Sequence, residues 1–152
     1  MKITGLKEFI KKFRAFSLSI PRDHNIAIET RNPNYLNRSY FQFLNEMQIS
    51  PVFVQGYYMP AIKDIYYHFR DLINVPVVIR LMGPDRQKIE SLSQGSWDKI
   101  IIPKDGELAD ITKIIDDLDK RSIKVFVNVN NHYEGSAPLT IRKLQELVSR
   151  PR

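Results

Sequence analysis

Polar residues crowd the end of one apolar run in this 152-residue chain. Within residues 124–140, Val125, Phe126, Val127 and Val129 are the β-branched and aromatic types that a buried strand favours, whereas Asn128, Asn130, Asn131, His132 and Glu134 gather hydrogen-bonding groups toward its carboxyl end. Ligands of parallel α/β proteins sit at the carboxyl ends of strands, so this stretch locates a candidate site without naming a reaction. His132 could serve as a general acid or base, and Glu134 two residues on could share that work. A second run, Ile26-Ala27-Ile28, ends at Glu29 and Arg31, which alternate along a strand and so face one side. A third ends at Arg80, whose guanidinium could hold phosphate or carboxylate in a two-pronged contact. The proton-transfer candidates are therefore Glu29, His132 and Glu134, and the ligand-binding candidates are Arg31, Arg80, Asn130, Asn131 and Gly135. Each also has a structural reading. Glu29 can pair with either arginine, the two asparagines can tie backbone together, and Gly135 can serve an unusual backbone angle ahead of a helix start. His132 with Glu134 and Glu29 could make an oxygen-rich metal site, but the spacing matches no metal motif; cofactors stay unassigned.

Positioning these residues requires alternating strands and helices. Leu6, Phe9, Ile10, Phe13 and Phe16 recur at helical spacing, which predicts a helix over 3–16. Strands are expected at 26–31, 52–55, 76–81 and 124–129. Helices are expected near 39–48 with Phe41, Leu44 and Met47 as the buried stripe, within 60–71, over 105–121 on Leu108, Ile111, Ile114, Ile115 and Leu118, and at the end on Ile141, Leu144, Leu147 and Val148. Ile100 to Ile102 is too short to assign. Trp97, Tyr57 and Tyr58 read as core or rim aromatics, Tyr57 with a chance to stack on a ligand, and His24 and His68 as surface or packing residues. The pattern is one α/β domain over 1–152, a parallel sheet with flanking helices and no linker or repeat.

Composition removes several classes. There is no cysteine, hence no disulfide, thiolate metal site or cysteine nucleophile, which fits a cytoplasmic location. No signal peptide is legible and no apolar run approaches the ~20 residues of a membrane span. Glycine-rich nucleotide fingerprints, phosphate-loop, nucleophile-elbow and paired-histidine zinc patterns are all missing. The formal net charge of +6 sits at the two ends: residues 1–38 hold eight Lys/Arg against three Asp/Glu, and residues 139–152 four against one. Such ends can meet nucleic acid, but Lys7, Lys11 and Arg14 lie at helical spacing with no aromatics interleaved among the charges, the pattern of a solvated helix face.

Three blocks together resemble the YecE-like proteins, domain of unknown function 72. They are Glu29-Thr30-Arg31-Asn32 with Tyr35-Leu36; Arg80-Leu81-Met82-Gly83-Pro84-Asp85-Arg86 followed by Trp97, Pro103-Lys104-Asp105 and Glu107-Leu108; and Asn130-Asn131-His132 with Glu134-Gly135-Ser136-Ala137-Pro138. Met82 stands where the family commonly has histidine, and the family's Gly- and Trp-containing first-strand segment does not occur here. The resemblance implies the second half of a TIM-type barrel, since a whole one needs about 250 residues. It also implies a barrel-mouth site for a small anion with acid/base chemistry, the alternatives being a noncatalytic nucleic-acid-binding module or a half barrel without independent activity. Half a barrel leaves two open sheet edges, so self-association or a partner completing the barrel is expected.

Overall fold

The computed structural model describes residues 5–149 except Arg22, Tyr57 and Pro84; the expected start of the first helix and the stacking role of Tyr57 fall outside them. Four strands form one sheet: β1 (Ala27–Glu29), β2 (Ser50–Gly56), β3 (Val77–Gly83) and β4 (Val125–Val129). They lie side by side in sequence order and all pairs are parallel. The helices are α1 (Leu6–Ser17), α2 (Arg38–Glu46), α3 (Ile62–Phe69), α4 (Arg86–Ser93), α5 (Asp105–Lys120) and α6 (Ala137–Val148). Each strand is reached from the previous one through at least one helix, as parallel pairing demands. The winding never reverses direction, so the sheet is a segment of barrel-type architecture rather than a doubly wound one.

Strand alternation divides the sheet into two unlike faces. Ile28, Phe53, Val77, Ile79 and Leu81 are buried together with Phe41, Leu44, Ile62, Tyr66, Leu108, Ile111, Ile114 and Leu118, and these form the core between sheet and helices. The alternate set, in register as Glu29 with Val52 and Val78, then Val54 with Arg80 and Asn128, points the other way. On that concave face Phe126 is 57% exposed, which corrects the expectation of a buried last strand. The apolar residues of β4 are suited to burial, but within this chain only the face carrying Val125, Val127 and Val129 packs against the core.

The helices follow one another around the outside of the sheet. Phe13 meets Phe43 edge-on at 6.4 Å between ring centres and Arg14 pairs with Glu46 at 2.9 Å, which sets α1 on α2. Phe41 stacks on Phe69 at 4.8 Å, bringing α2 to the end of α3. Between α3 and α5 lie Lys63–Asp110 at 2.9 Å and a Tyr66 hydroxyl that donates to Asp117 at 2.5 Å. Lys143 reaches Asp105 at 2.7 Å and so joins α6 to α5. Arg121 donates to the carbonyls of Arg70 and Ile73, closing the exposed end of the α3 segment. Helix α4 was not legible in the sequence, because its only buried apolar residue is Ile89. Residues 100–102 are not a strand; the Ile101 and Ile102 N–H groups donate to the Glu134 carbonyl. Of the terminal-helix stripe, Ile141 and Val148 are 40% and 39% exposed, since α6 overhangs β4 with no strand beyond it. Tyr58 is exposed rather than core.

Candidate functional site

Glu29, Arg31 and Arg80 meet on the concave face. Arg31 Nε donates to Glu29 Oε1 at 2.8 Å, and Arg80 Nη1 donates to Glu29 Oε2, so a single carboxylate bridges two guanidinium groups. β1 ends at Glu29, short of the expected strand over 26–31, so it is the ion pair that sets Arg31 beside Glu29, while the register carries Arg80 across β2 to the same side. Burial alone would raise the Glu29 carboxyl, but hydrogen bonds and charge from Arg31 and Arg80 outweigh it and hold the group below the usual carboxylate range. Glu29 is therefore ionised near neutral pH and acts as an acceptor, not a proton donor. Counted over these three side chains alone the formal charge is +1, and the side chains of Arg31 and Arg80 are 49% and 35% exposed. Asn128 lies level with Arg80 on the same face and adds an amide.

The loop after β4 forms a second group at the same end of the sheet. Asn130 N–H donates to the Leu81 carbonyl, so Asn130 and Arg80 share the carboxyl end. The Asn130 side chain accepts from His132 N–H at 2.9 Å, and the Asn131 side chain accepts from Ala137 N–H at 2.8 Å at the start of α6. Both asparagines thus satisfy backbone donors of the loop and helix start. His132 Nε2 lies 3.1 Å from Glu90 Oε1 and its ring stands edge-on to Trp97 at 5.2 Å. The Glu90 carboxyl is held low by Arg86 and then by His132. Neither Glu90 nor α4 carried a signal beyond an Arg86–Glu90 helical pair, so this contact was not legible in the sequence.

Glu134 turns away from both groups. Its side chain is completely buried: Oε1 accepts from Lys104 N–H at 2.6 Å and Lys143 Nζ at 2.8 Å, and Oε2 accepts from the Thr140 hydroxyl at 2.7 Å. With both oxygens engaged inside the protein, it ties the loop to α5 and α6 and does not share a metal or a proton with His132. Gly135 does adopt a left-handed angle, φ +115°, and a Cβ there would fall 2.5 Å from Ile101. Two other glycines bring backbone against backbone at the mouth: a Cβ on Gly83 would lie 2.1 Å from the His132 carbonyl oxygen, and one on Gly56 2.7 Å from the Gly83 carbonyl oxygen. These bare backbones let the ends of β2 and β3 and the β4 loop touch. On the helix side of that contact is a cavity of about 130 Å³ lined by Gln55, Met59, Lys104, Glu107 and Tyr133. Its polar groups answer one another, with Tyr133 hydroxyl donating to Glu107 at 3.1 Å and Lys104 Nζ at 2.9 Å from the same carboxylate. No helix among the described residues is long and apolar enough to cross a membrane.

The fold is similar to solved structures of DUF72 family proteins. That from Thermotoga maritima is 17% identical with a TM-score of 0.68, and the match covers 95% of this chain and 53% of that one. Two structures of a family protein from Enterococcus faecalis are 20% identical, with TM-scores of 0.67 and 0.65, covering 96% and 99% of this chain and 55% and 58% of those. The chain thus spans little more than half the length of these structures. No curated protein matches it. The model of the family described as "Protein of unknown function DUF72" matches residues 3–152, and the chain belongs to that family.

Proposed function

We propose that the concave face binds a small anion bearing a phosphate or carboxylate group, with Arg31 and Arg80 as the binding residues and Glu29 as the brace that holds them. The observation that carries this reading is the bridge itself: one carboxylate fixes two half-exposed guanidiniums at the carboxyl end of the sheet. Guanidinium groups fixed by a carboxylate lose less freedom when they clasp an oxyanion, and their planar donors match it in geometry. Acid/base work in such a site falls to His132, whose ring Glu90 orients, because Glu29 is held ionised and the Glu134 oxygens are occupied.

Thermal melting in phosphate against chloride at matched ionic strength tests the binding step. A ligand that binds only the folded state raises Tm with concentration, adding about 2.7 kcal/mol of stability at a hundredfold excess over Kd. Phosphate also stabilises proteins without binding, so the variants decide. Arg80→Gln leaves Glu29 facing Arg31 alone, net neutral, and should lose the phosphate-specific increment. Glu29→Gln removes the carboxylate between the two arginines and should enlarge it. If wild type, Arg80→Gln and Glu29→Gln respond alike, the arginines are structural and the reading fails.

A further inference from the structure

We propose that the cavity behind the Gly56–Gly83 contact is a second binding site, for a small monocarboxylate of the size of acetate, held by the Lys104 ammonium and the Gln55 amide. Its walls come from the carboxyl ends of the strands and the connections that follow them. Gln55 belongs to β2, Met59 to the loop before α3, Lys104 and Glu107 to the start of α5, and Tyr133 to the loop after β4. That end of a parallel sheet is where ligands bind. The site stands on residues of the chain itself, whatever lies beside β1 or β4.

The polar side chains around this cavity have hydrogens to give and few places to put them. Glu107 is already in use: Oε1 lies 2.9 Å from Lys104 Nζ, and Oε2 accepts from the Tyr133 hydroxyl at 3.1 Å. Tyr133 is buried, and that burial, then the charge of Glu107, raises its phenol, so the hydroxyl keeps its proton and its place as donor to the carboxylate. Lys104 carries three N–H donors, and among the described residues Glu107 is the one acceptor they reach, with the ring of Tyr133 centred 5.4 Å from the nitrogen. The Lys104 side chain is 15% exposed, so its remaining donors have little bulk water to turn to. Gln55 is fixed by a similar argument. The Ile62 N–H at 3.0 Å needs an acceptor, so the amide oxygen faces it; the NH₂ group is the one left, and it meets no acceptor among the described residues.

Two donor groups, one of them charged, beside a carboxylate already in use call for an acceptor that carries negative charge. Size follows from the volume: about 130 Å³ is room for about four waters at about 30 Å³ each, which admits acetate and little more. The amount of charge is limited as well. A single ammonium shared with Glu107 suits a monoanion, whereas the second charge of phosphate would stand against the Glu107 carboxylate. The methyl end has Met59 and the Tyr133 ring to meet. In ligand class the site is therefore unlike the Arg31–Arg80 face, and it does not rest on that reading.

Acetate titration of the nitrogen-labelled 152-residue chain, against chloride at matched ionic strength, is the test, read by NMR at the amides of Met59, Glu107 and Tyr133 with acetamide as the uncharged isostere. Those amides should shift saturably with acetate, half-saturating between about 0.1 and 10 mM, the range open to a ligand of so few atoms. Acetamide should bind at least tenfold more weakly. Lys104→Met should weaken acetate at least tenfold, and Met59→Phe, which fills the cavity and touches no charge, should do the same; if Lys104→Met does not fold, Met59→Phe decides. Arg80→Gln should leave the acetate titration unchanged, and phosphate should leave these amides where they are whatever it does at Arg80. The proposal is overturned by the absence of a saturable shift, by an equal response to acetamide, or by phosphate binding at these amides as tightly as acetate. An acetate response that Arg80→Gln removes and Met59→Phe spares overturns it too, and moves the carboxylate to the concave face.

Discussion

Replacing Glu134 by alanine should destabilise the protein more than any other single carboxylate change, and the structure allows the size to be worked out. Removing one member of a buried ion pair costs about 3–5 kcal/mol when its partner is left without compensation. Lys143 is not left so, because its ammonium also reaches Asp105 at 2.7 Å. Thr140 likewise keeps a second acceptor in the Ser136 carbonyl at 3.0 Å. Among the described residues the Lys104 N–H donates to the Glu134 carboxylate alone, and an orphaned buried donor costs about 1–3 kcal/mol. With the void left by the side chain added, the expected loss is about 3 kcal/mol, the lower end of the ion-pair range. For a domain of this size that is roughly 6–12 °C in Tm, at about 2–4 °C per kcal/mol. Glu134→Gln keeps the shape and one acceptor but gives up the charge pair, and should fall between alanine and wild type. Circular-dichroism melts, with urea titrations to check that the slope is unchanged, provide the measurement. If Glu134→Ala melts within 2 °C of wild type, the carboxylate does not tie the loop to α5 and α6, and its burial needs another account.

Glu29 predicts an acid limb in stability. Its folded-state pKa lies below the ordinary carboxylate value of 4.5, so its contribution is present above that value and is lost as pH falls from there through the lowered one. Glu29→Gln should flatten this part of a stability-against-pH curve measured by urea denaturation, and an unchanged slope would deny that the bridge matters to folding. Three glycines should respond in three ways to alanine. Gly83→Ala meets the His132 carbonyl and a φ of +77°, and should cost well over 2 kcal/mol; Gly95→Ala has the same φ but open space, and should cost about 1 kcal/mol; Gly106→Ala, inside α5 with nothing nearby, should stabilise by about 0.5–1 kcal/mol. Melting curves of the three variants check the order, and a Gly83→Ala protein as stable as Gly95→Ala would contradict the close packing of the mouth.

The parts of the site that sequence alone revealed are those governed by period. Spacing brings Glu29 and Arg31 together as expected, although Arg31 stands beyond the end of β1, and the end of an apolar run is enough to put Arg80 near a strand terminus. The inward turn of Glu134 was not legible, because its partners Lys104, Thr140 and Lys143 come from the loop before α5 and from α6. Only the packing of those helices shows that three donors converge there. For the same reason Asn130 and Asn131 read equally well as ligand groups or as caps until the backbone donors of His132 and Ala137 were placed. Helix α4 was hidden by composition: with Ile89 as its one buried apolar residue, it offers no stripe to read.

A different cause lies behind the errors on β4 and α6. Phe126, Ile141 and Val148 were read as buried because their types and spacing suit burial, and each stands exposed. The apolar pattern records the surroundings a residue is suited to, not those this stretch of chain supplies. Elsewhere the same rules succeed: Phe41, Leu44, Leu108, Ile111, Ile114 and Leu118 are all buried as their spacing requires. The failures lie at the two edges of the sheet: in the last strand and the helix beyond it, and in α1, where no residue is buried and Phe16 is 56% exposed. A general weakness of the pattern would scatter its failures over α2, α3 and α5 as well. Their concentration at the edges means that the residues there suit neighbours that residues 5–149 do not themselves provide, and that reasoning is independent of any likeness to longer proteins.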